Sequence, residues 1–208
     1  MSEARVIPAG RAGSGAHRGG AYDRGAGRIL PAAAPRPIAI GDSIAVSGVC
    51  LTATAVADGR FAADVSQETL SKTSGLDRCG PVNLETSLAL GDKLGGHLVS
   101  GHVDGVGTVV RYAPVGESFE LWVQAPAALA RFLATKGSVA VDGVSLTVNA
   151  VVDAADGRCE FSINLIPHTV AVTTLQHLAP GRPVNLEIDP IARYVGRMLE
   201  HSTAGGAA

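Results

Sequence analysis

Two side chains of different chemistry stand at matched places in this 208-residue chain. Cys50 lies in Ser43-Ile44-Ala45-Val46-Ser47-Gly48-Val49-Cys50-Leu51-Thr52, and Ser145 in Ser138-Val139-Ala140-Val141-Asp142-Gly143-Val144-Ser145-Leu146-Thr147. Seven of the ten paired positions are identical. A thiol and a hydroxyl both serve nucleophilic and proton-transfer chemistry when a base stands nearby, so one reading is two related sites with unequal jobs. The other is a core strand in which Cys and Ser are small fillers. Around the repeat fall further polar residues: Ser43, Thr52, His97, His102, Lys136, Thr147, His168 and Asp189. His97 and His102 are five apart in a glycine-rich loop, where backbone can approach a ligand closely. Each histidine alone reads as a structural residue; their grouping beside the repeat is what gives the functional reading.

Common signatures are missing. The chain has no G-x-x-x-x-G-K-[ST], no H-E-x-x-H, no nucleophile elbow, and no G-x-G-x-x-G after a strand. Three cysteines (Cys50, Cys79, Cys159) without a C-x-x-C argue against a disulfide framework or a zinc cluster. A formal charge of −2 gives no electrostatic footprint for nucleic acid or an anionic membrane. With no apolar run of spanning length and no signal-peptide core, the expected compartment is the cytoplasm.

The elements that must position these residues read as β. Apolar residues alternate over 38–46, 49–56 and 61–65, with Asp58-Gly59 as a hairpin turn and Ser66 able to cap a short helical turn. The order recurs downstream: Asp156-Gly157, then 161–166, then Pro167-His168-Thr169 against Gln67-Glu68-Thr69. Pro183-Val184-Asn185-Leu186-Glu187 repeats Pro81-Val82-Asn83-Leu84-Glu85 residue for residue. A helix is expected over 126–136, with Pro at its start and Gly137 as its stop. At the end, Ile191, Tyr194, Val195, Met198 and Leu199 follow Asp189-Pro190 at helical spacing, an amphipathic helix suited to packing on another subunit. The expectation is an all-β protein of two tandem Greek-key β-barrels related by internal duplication, plus a C-terminal α-helix. Residues 1–36, rich in Arg, Gly and Ala, show no strand or helix period and read as a flexible extension. The first barrel is assigned to 37–97, the second to 98–188, and the helix and tail to 189–208.

Four stretches carry a resemblance: Gly95 to Gly105, Lys136 to Thr147, Asn164 to Thr169 and Asn185 to Asp189. Together they resemble riboflavin synthase of the α-chain type, from Ile40 to about His201. The resemblance implies a homotrimer joined through the terminal helix, and it allows an association with lumazine synthase. The implied reaction is a dismutation of two 6,7-dimethyl-8-ribityllumazine molecules. Transfer of a four-carbon unit gives riboflavin and 5-amino-6-ribitylaminouracil, with no metal or redox cofactor. Identical substrates would explain a duplicated barrel, and donor and acceptor roles would explain Cys50 against Ser145.

By the same resemblance one ligand is surrounded by Cys50, Leu51, Thr52, Asp64, Val65, Ser66, Gln67, Glu68 and Thr69. The other is surrounded by Gly101, His102, Val103, Lys136, Ser145, Leu146, Thr147, Asn164, Leu165, Ile166, Pro167, His168 and Thr169. His102 and Ser145 are expected to move protons, and Cys50 with Ser43 to assist at the opposing ring, with Asp189 either a helix cap, a neighbour of the site, or both. The family opens with a Met-Phe-Thr-Gly-Ile/Val strand whose internal counterpart is Leu98 to Val103. Residues 1–36 offer no such sequence, so the first barrel is expected to lack its first strand and to keep an open edge. A non-catalytic lumazine or flavin binder, and an inactive product with a defective first barrel, are the alternatives.

Overall fold

A computed structural model describes residues 2–8, 25–31, 37–57, 59–155 and 157–204, the first two stretches by backbone alone. The first barrel comprises β1 (Ser2–Pro8), β2 (Gly25–Pro31), β3 (Ser43–Val46), β4 (Val49–Ala57), β5 (Arg60–Val65) and β6 (Gly80–Thr86), with α1 (Gln67–Lys72) after β5. The second comprises β7 (Gly105–Val115), β8 (Ser118–Ala125), β9 (Ser138–Val141), β10 (Val144–Asp153), β11 (Cys159–Leu165) and β12 (Pro183–Ile188). Helices α2 (Ala127–Ala130) and α3 (Pro167–Val172) sit among its strands, and α4 (Pro190–Ala204) follows. Strand order is β1-β2-β5-β4-β3-β6 in one barrel and β7-β8-β11-β10-β9-β12 in the other, both closed. The duplication read in the sequence is therefore complete at the level of topology.

Period-two alternation decides what each barrel offers outward. Ile44, Val46, Val49 and Leu51 enter the first core, which leaves Ser43, Cys50 and Thr52 on the outer face. Val139, Val141, Val144 and Val148 do the same in the second, leaving Ser145 and Thr147 outside. Each hairpin turns through two residues in the left-handed region, Ser47-Gly48 (φ 44° and 80°) and Asp142-Gly143 (φ 47° and 80°), the geometry that matches the twist of the flanking strands. The two turns touch. A Cβ on Gly48 would lie 2.8 Å from Gly143 N, and one on Gly143 would lie 2.7 Å from Gly48 N.

Reciprocal asparagines lock this contact. Asn83 Nδ2 donates to Asp142 O (2.9 Å), and Asn185 Nδ2 donates to Ser47 O (3.0 Å). Their Oδ1 atoms accept from Thr174 N (2.9 Å) and Ser74 N (2.7 Å). Both side chains are almost fully buried, so their hydrogen-bonding capacity must be met within the protein. The Asn of each Pro-Val-Asn-Leu-Glu copy thus ties its own barrel to the turn of the other.

The N-terminal expectation needs correction. Rather than an extension that leaves an open edge, the chain provides Ser2–Pro8 and Gly25–Pro31 as strands that pair with each other and with β6 and β5. Neither stretch has strong alternation; the unpaired edges of β5 and β6 impose the extended form by supplying ladder partners. The remainder of the expected extension lies outside the described residues. The helix expected over 126–136 is also shorter. It ends at Ala130, and i to i+3 bonds (Phe132 N to Leu129 O, Leu133 N to Ala130 O) lead to Lys136 at φ 67°. Burial of Leu129 and Leu133 in the core holds that tighter turn.

Helix α4 is tied to its own barrel by Arg193, which donates to Asp104 (2.5 and 2.9 Å), and by the Arg131–Glu200 pair. Ile191, Tyr194, Val195, Met198 and Leu199 stay exposed, between 49% and 71%. Among the described residues no helix is long and apolar enough to cross a membrane.

Candidate active site

Cross-strand register places a three-residue row on the outer face of each barrel. In the first, Ala45 pairs with both Glu85 and Cys50. In the second, Ala140 pairs with both Glu187 and Ser145. Direct partners share a face, so the rows run Glu85–Ala45–Cys50 and Glu187–Ala140–Ser145. The sequence difference between thiol and hydroxyl is one end of each row, and the invariant carboxyl is the other.

The second row is covered. Glu187 is 2% exposed and accepts four hydrogen bonds: from Ser100 N (2.7 Å), Ser100 Oγ (2.6 Å), Gly101 N (2.9 Å) and His102 N (3.1 Å). The held segment then reaches the other barrel, where Cys50 N donates to Gly101 O at 2.7 Å. Contact is so close that a Cβ on Gly101 would stand 2.8 Å from Cys50 Cβ. Val103 continues onto the first barrel's core. A glycine-rich loop is needed here because backbone, not side chain, fills the space between Glu187 and Cys50.

Between the barrels lies a cleft of about 410 Å³ lined by Ser43, Ala45, Cys50 and Glu85 on one side and by Val144 and Ser145 on the other. Lys93, Gly96, His97 and Ser100 are also in its lining. His97 Nδ1 is 2.8 Å from Ser145 Oγ, and His97 N donates to the same oxygen at 3.3 Å. His97 Nε2 is buried without a hydrogen-bond partner among the described residues. Burial pushes the imidazole below its ordinary pKa, with the charges of Asp189 and Glu187 opposing the shift. A neutral ring beside a hydroxyl can take its proton or return one. Burial likewise raises the Glu85 carboxyl, with Glu187 adding to the effect.

The histidine brought to Ser145 is therefore His97. His102 is fixed through its backbone to Glu187 and its exposed ring does not line the cleft. Asp189 accepts from Ile191 N (2.8 Å) at the start of α4, the capping role, and its charge also acts on His97. Lys136 stands outside the cleft, exposed, in a left-handed turn whose N–H donates to Val148 O.

The two expected binding arcs take matching forms. Asp64, Ser66, Gln67 and Glu68 are exposed at the junction of β5 and α1, as are Asn164, Ile166, Pro167 and His168 at the junction of β11 and α3. Thr69 and Thr169 are half-buried, and each carbonyl accepts from the hydroxyl four residues on, Thr73 and Thr173. Ser66 Oγ caps α1 through Thr69 N at 3.0 Å, whereas Ile166 gives α3 no side-chain cap. Leu51, Val65 and Leu165 point into the cores, so at these positions only backbone faces outward. Leu146 packs against the second core, and Thr52 and Thr147 face out.

Sequence reasoning did not single out Glu85, Glu187 or Lys93 as site residues. The signal for the first two was present: an acidic residue kept in both copies of an otherwise apolar strand.

Comparison with known proteins adds independent findings. The lumazine binding domain matches residues 26–87 and 100–189. Riboflavin synthase of Photobacterium phosphoreum is 44% identical over 164 residues, covering 78% of this chain and 73% of that protein. Riboflavin synthase of Mycobacterium tuberculosis (strain CDC 1551 / Oshkosh) is 48% identical over 163 residues, covering 76% and 80%. Among solved structures, LumP complexed with 6,7-dimethyl-8-(1'-D-ribityl) lumazine superposes with a TM-score of 0.70 at 18% identity, covering 90% of this chain and 96% of that one. LumP complexed with riboflavin gives 0.71 at 19% identity, covering 90% and 95%. At that identity the likeness is one of fold.

Proposed function

The chain belongs to the riboflavin synthase family, with two lumazine binding domains in tandem, and we propose that it converts two molecules of 6,7-dimethyl-8-ribityllumazine into riboflavin and 5-amino-6-ribitylaminouracil. The observation that carries this reading is the unequal pair on one fold: Cys50 and Ser145 at the ends of equivalent rows, both on the cleft, with His97 on Ser145 alone. Two identical substrates call for two like sites, and a dismutation calls for those sites to act differently.

In this reading each barrel holds one lumazine against its arc, Thr52 with Asp64 to Thr69 in the first and Thr147 with Asn164 to Thr169 in the second. A proton leaves the acidic methyl group on C7 of one ring, passing to Ser145 and its partner His97, with His102 as a second station near the opposing ring. Cys50 with Ser43 assists addition at C7 of the other ring. Four carbons move from donor to acceptor, and the donor leaves as the diaminouracil, so the atoms balance without an outside oxidant. Stacking two rings in register supplies much of the acceleration, since orientation alone can offset several kcal/mol of barrier.

The exposed stripe on α4 supports a homotrimer, in which the first barrel of one subunit meets the second barrel of its neighbour. Three free cysteines, Cys50, Cys79 and Cys159, accord with a cytoplasmic protein.

The test is incubation of the purified chain with the lumazine, followed by riboflavin absorbance. One riboflavin should form per two lumazines consumed. Tight lumazine binding with no riboflavin formed would overturn the reading and leave a chromophore binder.

A further inference from the structure

A second cavity, of about 260 Å³, opens beside the contact of the two hairpin turns and shares no lining residue with the cleft. Its walls pair off between the barrels. Ser47 and Asp142 come from the turns, Ser74 and Thr174 from the segments after α1 and α3, and Arg78 and Arg182 from the approaches to β6 and β12. The first two pairs are equivalents in the repeat, but the arginines are not. Aligned on Pro-Val-Asn-Leu-Glu, Arg78 stands opposite Pro180 and Arg182 opposite Gly80. Each copy thus brings one guanidinium to the same cavity from a different position, which duplication alone does not explain.

Both cations have donors left over. Arg78 donates through Nη2 to Ser74 Oγ (3.2 Å), and Arg182 makes no ion pair or side-chain hydrogen bond among the described residues. Thr174 is 8% exposed, and its hydroxyl has no hydrogen bond among the described residues either. Asp142 is the one acid in this lining among the described residues. Its Oδ1 accepts from Asn185 N (2.8 Å), and burial holds the carboxyl up to about 7, so at pH 6 the charge lining the cavity is chiefly that of two guanidiniums. Planar guanidinium forks match the oxygens of a carboxylate or phosphate. The volume falls just below the range of about 300–1,000 Å³ usual for drug-sized ligands, which favours a small ion or ester over a second heterocycle.

We propose that this cavity binds a small oxyanion of the phosphate class, held between Arg78 of the first barrel and Arg182 of the second. The Thr174 hydroxyl is placed to donate a further bond. A bound anion would join loops of both barrels beside the Asn83 and Asn185 lock, so its occupancy stabilises the junction. The inference is independent of turnover at the cleft, and its test reads binding.

The probes are inorganic phosphate and glycerol 3-phosphate at pH 6, compared with chloride at matched ionic strength. Cys79 is an exposed thiol in this lining and Cys50 lies on the cleft, so their alkylation by iodoacetamide, followed by mass spectrometry, reports on the two places separately. Phosphate or its ester should slow labelling of Cys79, leave Cys50 unchanged, and raise the melting temperature with concentration. Arg78→Gln and Arg182→Gln should each raise the concentration needed for protection about tenfold or more. Both side chains are exposed, and melts in chloride confirm that the variants fold. A stronger effect of the ester makes a phosphate monoester the occupant, a stronger effect of phosphate makes it the free ion, and equal effects make the phosphate group itself the determinant. Absence of protection by both probes overturns the proposal. So does equal protection in the two variants, or protection of Cys50 in place of Cys79, which would put the anion in the cleft.

Discussion

His97 Nδ1 stands 2.8 Å from Ser145 Oγ, across 48 residues of sequence, and the other ring nitrogen is buried without a partner among the described residues. If this pair moves the proton, His97→Gln, which keeps a polar group but no titratable ring, should lower kcat by about two orders of magnitude or more. The acid limb of the kcat profile should vanish with it. A His97→Gln enzyme within about threefold of the parent rate would reduce His97 to a packing residue.

The same burial predicts a stability trend. His97 has its folded-state pKa depressed below the ordinary 6.5, so the unfolded chain binds the proton more readily. Its contribution is fully present above pH 6.5 and is lost as pH falls through the depressed value. Denaturant melts of the parent between pH 7.5 and pH 5 should show a steeper decline than those of His97→Gln. Parallel declines would refute the assignment.

Asp142 behaves oppositely. Burial pushes its carboxyl up to about 7 from 3.8, against the lowering influence of Asn185 N–H and Arg182. A raised folded value means stability that is present at low pH and lost as pH climbs through about 7. Asn keeps an acceptor for Asn185 N and tolerates the left-handed φ of 47°. Asp142→Asn should therefore raise the melting temperature more at pH 8 than at pH 5, because the loss accrues between 3.8 and about 7. An equal gain at both values, or a loss at pH 8, would count against a buried titrating group at the junction of the two turns.

Asn185 carries the heaviest hydrogen-bonding duty at that junction, to Ser47 O, Ser74 O and Ser74 N. Asn185→Leu would strand buried partners at about 1–3 kcal/mol each, so a loss of several degrees in Tm is expected. The equivalent Asn83→Leu should cost a comparable amount, since the bonds to Asp142 O and Thr174 N mirror it. A negligible loss in either would mean that the barrels do not depend on this reciprocal lock.

The outer stripe of α4 gives a test of assembly. Tyr194→Glu with Met198→Glu places two charges among Ile191, Val195 and Leu199, all exposed in the isolated chain, and leaves Arg193–Asp104 intact. Light scattering should report a trimer for the parent and a monomer for the double variant, with riboflavin formation lost while each barrel keeps its fold. A monomeric parent, or a variant that remains fully active as a monomer, would sink the arrangement across subunits.

Much of this protein was written locally. Alternation around Ser47-Gly48 and Asp142-Gly143 specifies hairpins, Ser66 caps its helix, and Asp189-Pro190 opens the last one, because each depends on neighbours a few residues away. The repeated Pro-Val-Asn-Leu-Glu disclosed the duplication and, with it, the pairing of Cys50 with Ser145. Tertiary structure decided the rest. Ser2–Pro8 and Gly25–Pro31 carry too little pattern to declare themselves, and they are strands because the edges of β5 and β6 demand partners. His97 rather than His102 meets Ser145, a choice made when Glu187 draws three successive N–H groups inward and fixes the course of the loop. That one glutamate is covered and its twin is open follows from what lies over each row, and contacts between segments distant in sequence leave no periodic trace in the chain.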